Sequence, residues 1–113
     1  MSDFRSKSLD NKKNAAALHK AAPDAMKAFV GLMTAVSKEG ALSARQKELM
    51  ALAISIVTRC EGCVIHHVEA AIRHGAQRNE LVEAITVAIE MGGGPATVYG
   101  ATALAVFDGT QTQ

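Results

Sequence analysis

SARQKELMALAISIVTRCEGCVIHHVEAAIRHG, residues 43–75, carries the pattern on which the fold is read. Ser43 followed by Gln46 is a capping-box start: the hydroxyl serves the backbone amide three residues on, and the Gln side chain reaches back. From Leu49 to Val57 the chain is apolar on nearly all sides, the signature of a helix buried at the centre of a domain. After Arg59 a second helical pattern runs from about Cys60 to His74, with Val64, Val68, Ala71 and Ile72 as its packing stripe. Gly75 supplies the left-handed stop. The stretch predicts two successive helices joined by a short reversal.

The same reading extends outward. Residues 1–9 are expected to be a loose tail. NKKNAAALHKAA predicts a first helix that ends at Pro23, whose ring restricts the residue before it. DAMKAFVGLMTAVSKE predicts a second, with Met26, Phe29, Val30 and Met33 at three- and four-residue spacing and Gly40 as its stop. Beyond Gly75, Gln77 and Glu80 stand at capping-box distance and open RNELVEAITVAIEM, with Leu81, Ile85, Ala88 and Ile89 on its buried face. Gly92, Gly93, Gly94 and Pro95 break that helix, and a last one carries residues 96–107. The expectation is one all-α domain of about six helices over residues 10–108.

Composition bounds the function. A chain of 113 residues suits one domain with a single core. Apolar residues make up 49% of it, which argues against disorder. Aromatics are few and Trp is absent, a mix suited to helices packed through small side chains. A formal net charge of +1 gives no basic field for a nucleic-acid backbone and no polybasic block for a membrane surface. The polar start MSDFRSKSLDNKKN predicts no signal peptide, and no apolar run reaches the ~18 residues of a membrane span. A cytoplasmic address follows, where a close Cys pair reads as catalytic or metal-binding rather than as a permanent staple. The third, fifth and last helices carry more apolar face than one small domain needs to cover, which predicts a homo-oligomer.

Chemistry concentrates in RCEGCVIHH, residues 59–67, which holds both cysteines and two of the four histidines. At ~100° per residue, Cys60, Cys63 and His67 share one helix face, with His66 farther round from Cys60. The pair stands at a helix N-terminus, where free amides and the macrodipole favour a thiolate. His67 can exchange a proton one turn on. Glu48 sits early in an otherwise apolar helix, and a reversal after Arg59 would lay it near the cluster, where a carboxyl can serve as base or relay. Other readings stay open here: two small buried hydrophobes, a zinc site from Cys60, Cys63, His67 and Glu48, or a Glu48 at the solvent edge. His19, His66 and His74 read as surface or packing residues.

Glu48-Leu49, an apolar helix, Cys60-x-x-Cys63-x-x-x-His67, Gly75-Ala76 and Glu80-Leu81 together resemble the AhpD-like, or carboxymuconolactone decarboxylase, superfamily over residues 20–107. The paired cysteines make the resemblance closer to its alkylhydroperoxidase branch. The resemblance implies a trimer, or a hexamer built from trimers, with thiol-dependent peroxidase or disulfide-reductase activity that uses neither haem nor flavin; no cofactor and no metal are expected. It implies Cys63 as the attacking thiol, Cys60 as the resolving one, and Glu48 with His67 as the proton relay. The dipole alone would favour Cys60 instead. The implied substrate is a hydroperoxide or small disulfide, and the implied reductant a dithiol such as a lipoyl-bearing protein. A dithiol–disulfide reductase and a lactone decarboxylase are the alternative functions. Characterised peroxidases of this pattern carry a second histidine between the cysteines; here that position is Gly62.

Overall fold

The computed structural model describes residues 2–111 and contains six helices: α1 (Ser2–Ala21), α2 (Pro23–Val36), α3 (Ala44–Val57), α4 (Glu61–Arg73), α5 (Arg78–Gly92) and α6 (Gly94–Gln111). Among the described residues there is no strand, so the domain is all-α. Helices α3 to α6 pack on one another as a body; α1 joins it across α4, and α2 packs on α1.

The body forms where the sequence pattern places it. Leu52 and Ile56 of α3, Val64, Ile65 and Val68 of α4, and Leu81 and Ile85 of α5 close one core with Ala103, Val106 and Phe107 of α6. Burying each of the larger side chains contributes about 1.5–3 kcal/mol. Small residues set the spacing of α5 and α6: a Cβ on Gly100 would lie 2.7 Å from Cγ2 of Ile85. No helix is long and apolar enough to cross a membrane among the described residues.

Both capping boxes hold their partners. The Gln46 amide donates to Ser43 Oγ at 3.0 Å while the Gln46 side chain accepts from the Ser43 amide. Glu80 Oε1 likewise accepts from the Gln77 amide at 2.9 Å. Between α3 and α4 the reversal takes only three residues. Arg59 adopts a left-handed φ of 59°, its amide donates to Ile56 O, and the Cys60 amide donates to Ser55 O. That is a Schellman turn, which satisfies two carbonyls that the end of α3 would otherwise orphan.

Three expectations need correction. The stretch 1–9 is helical from Ser2 rather than a tail, because Phe4 packs against the core cluster and buried Ser8 bonds Glu69 of α4. The second helix stops at Val36, where the Ser37 hydroxyl donates back to Met33 O at 2.7 Å and ends the ladder. Helix α3 is central but not buried all round: Met50, Ile54 and Val57 are exposed.

Candidate functional site

Cys60 is the N-cap of α4. Its Sγ accepts the Cys63 amide at 3.2 Å, doing what a Ser or Asp oxygen does at most helix starts. The two cysteines are joined by a disulfide, with Cα atoms 5.2 Å apart, so the structure holds the oxidised form of the pair. Each sulfur therefore belongs to the first turn of α4, where unpaired amides and the dipole stabilise a thiolate once the bond is reduced.

The reversal at Arg59 lays α4 back along α3 and brings Glu48 to His67, Oε1 to Nδ1 at 2.7 Å. The Glu48 side chain is 16% exposed and that of His67 25%, so the pair is shielded without being sealed. The Glu48–His67 pair therefore lies part-way along the α3–α4 hairpin, one helical turn beyond Cys63, while the two cysteines stand at the reversal itself. A carboxylate on Nδ1 leaves Nε2 of the ring as the free proton-exchanging atom. The four-ligand zinc set is not gathered: among the described residues no three His, Cys, Asp or Glu side chains form a group able to hold a metal ion.

Sequence reasoning set His66 aside, yet it borders the same site. Its ring meets that of His67 edge-on, centroids 4.9 Å apart. Burial first, then the neighbouring His67, pull its pKa below the usual imidazole value. His66 also lines a groove of about 340 Å³ between α1 and α4. Helix α1 contributes Ser8, Asn11, Lys12 and Ala15; α4 contributes Gly62, Ile65, His66 and Glu69. Both sets follow i, i+3, i+4, i+7, so two matching helix stripes face each other and leave space between them. The groove closes on one side through Ser8, whose hydroxyl donates to Glu69 at 3.1 Å, and Lys7 pairs with Glu61 at 3.2 Å. A Cβ on Gly62 would lie 3.1 Å from Nδ2 of Asn11, so α1 can lie over the inter-cysteine position because that residue is glycine. The 8, 11, 12, 15 spacing was the available signal for this wall, hidden because only Ala15 in it is apolar.

The carboxymuconolactone decarboxylase family model matches residues 23–106. The chain belongs to this family. An uncharacterized protein of Cupriavidus necator is 42% identical over 106 residues, 94% of each chain. Uncharacterized protein 4 in the cox locus of Paracoccus denitrificans is 44% identical over 81 residues, covering 72% of this chain and 73% of the relative. Among solved structures, an apo carboxymuconolactone decarboxylase family protein of Legionella pneumophila superposes with a TM-score of 0.92 at 35% identity, covering 96% of both chains. Another family member, from Thermotoga maritima, gives 0.84 at 26% identity, over 94% of this chain and 91% of that one. The disulfide-forming Cys60–Cys63 pair fits the AhpD-like branch of the carboxymuconolactone decarboxylase family.

Proposed function

We propose that this family member is a thiol-dependent peroxidase that cycles Cys60 and Cys63 between dithiol and disulfide. The observation that carries the reading is the Cys60–Cys63 disulfide at the start of α4, with the Glu48–His67 pair one turn further on. The Thermotoga maritima relative has itself been suggested to take part in an antioxidative response. In this scheme His67, held by Glu48, takes the Cys63 proton. The Cys63 thiolate attacks the outer oxygen of a hydroperoxide, leaving a sulfenic acid on Cys63 and an alkoxide that is protonated to the alcohol. The Cys60 thiol then displaces water from the sulfenic acid and closes the disulfide. A dithiol, such as a lipoyl group on a partner protein, restores the pair by exchange and leaves as its own disulfide. The cycle belongs in the cytoplasm, where such reductants are maintained.

Reduced protein given one equivalent of an organic hydroperoxide should lose two hydrogens by intact mass spectrometry, mapped to Cys60 and Cys63. Cys63→Ser should abolish turnover with the helical spectrum unchanged. Thiols that stay reduced in the wild type would reject the peroxidase reading, and rapid reduction of lipoamide-type disulfides would then identify a disulfide reductase.

The working unit is proposed to be a trimer or a hexamer of this chain. None of the residues of α2 is buried, and Phe29, Val30, Leu32, Met33 and Val36 form an exposed apolar run on it. A patch of that kind on a small domain marks a subunit contact.

A further inference from the structure

Cys63 has two imidazoles as helical neighbours, and the scheme above uses one. His67 lies four residues on and His66 three, and both spacings place Cβ atoms about 5–6 Å from that of Cys63. The two rings touch edge-on, and their other partners differ. His67 turns to Glu48 on α3, while His66 lines the groove beneath α1. The groove runs along α4 from Gly62, between the cysteines, to Glu69, a length of ~10 Å at 1.5 Å per residue. Ala15 and Ile65 give it apolar walls, and its 340 Å³ is the size of a small-molecule site.

We propose that His66 is a further catalytic residue: the acid that protonates the alkoxide leaving an organic hydroperoxide whose carbon chain lies in the α1–α4 groove. The inference rests on the peroxidase reading. The balance is Cys63–SH + ROOH → Cys63–SOH + ROH. The S–O bond forms as the O–O bond breaks, sulfur is oxidised and the peroxide reduced. The thiol proton is taken by His67, passes to the touching His66 ring, and is given by His66 to the alkoxide, so no outside acid is consumed. The lowered pKa of His66 agrees with this order, because the ring rests neutral and surrenders a proton readily once charged. The division of labour also gives each of the two touching rings its own partner, Glu48 for His67 and the groove for His66.

The test compares two oxidants with different leaving groups. An alkyl hydroperoxide expels an alkoxide that needs a proton; peracetic acid expels a carboxylate that does not. Disulfide formation is followed by stopped flow and intact mass on the reduced full-length protein, with circular dichroism as the check on fold. In His66→Gln the ratio of the alkyl hydroperoxide rate to the peracid rate should fall on the order of 100-fold, the lower range for losing a general acid. His67→Gln should slow both oxidants together, because it acts on the thiol before either leaving group departs. A His66→Gln protein that slows both alike, or neither, overturns the assignment and leaves the peroxidase reading standing. Wild-type thiols that resist both oxidants overturn the two together.

Discussion

Leu52 and Leu32 both lie in the middle of apolar helices, yet Leu52 of α3 is 0% exposed and Leu32 of α2 is 57% exposed. Around Leu52 each neighbouring helix presents an apolar stripe, and the four close on a common core. Around Leu32 no such core closes among the described residues, although α2 is as rich in Phe, Val, Leu and Met as any helix of the body. Hydrophobicity alone therefore does not separate α3 from α2; the partner does. Leu52→Ala should cost about 2–5 kcal/mol by urea unfolding of dilute protein, as a buried Leu truncation does. Leu32→Ala should stay within about 0.5 kcal/mol in the same experiment, as exposed substitutions do. Its effect should appear instead in light scattering, as a smaller assembled mass. Equal destabilisation by both, with unchanged mass, would mean that α2 is covered within its own chain.

The body has a contrast of its own, between its two left-handed turns. Gly75 ends α4 at φ 87° and Arg59 ends α3 at φ 59°, and each turn makes the same pair of backbone hydrogen bonds. A Cβ at 75 would meet nothing within 4 Å, so only backbone strain opposes a side chain there. Gly75→Ala should lose roughly 1–2 kcal/mol, the left-handed penalty for an L-residue. Arg59→Gly removes that penalty and should raise the melting temperature, by less than 1 kcal/mol would give, because glycine also frees the unfolded chain. If Arg59→Gly melts lower, the arginine side chain does something for the α3–α4 hairpin beyond adopting the turn.

The body and its hairpin could be read from sequence because their signals are local. Ser43 with Gln46 and Gly75 with its preceding stripe act within one or two turns, and both appear in the structure as read. Glu48 was legible for a different reason: a carboxyl in an apolar helix demands a partner, and a short reversal restricted where that partner could lie. The later turns of α1 were legible, but its start at Ser2 and its docking were not. Its docking depends on Phe4 and Ser8, one aromatic and one hydroxyl in a polar stretch, and neither sets up a period. His66 was set aside because the helix face was measured from Cys60. Measured from Cys63 it is a direct neighbour, and only the groove beneath α1 gives that position a purpose.

His66 sits on the seam between α1 and α4, so its titration reads how firmly the two are joined. Burial is the largest influence on its pKa and His67 the next, both downward and outweighing the opposing Glu48 and Glu69 carboxylates; Arg73 adds to the lowering. A folded-state pKa below the ordinary ~6.5 means the unfolded chain binds the extra proton first. Stability is then full above that value and declines as pH falls through it toward the folded pKa. His66→Gln should flatten this part of the melting profile and leave the neutral-pH value almost unchanged, the smallest effect expected here. If α1 supplies the burial, Ser8→Ala, which removes the hydroxyl bridging to Glu69, should move the NMR titration midpoint of His66 back up. A midpoint that stays put while α1 loosens would assign the burial to α4 and its body neighbours, and the groove would be open to solvent from the α1 side.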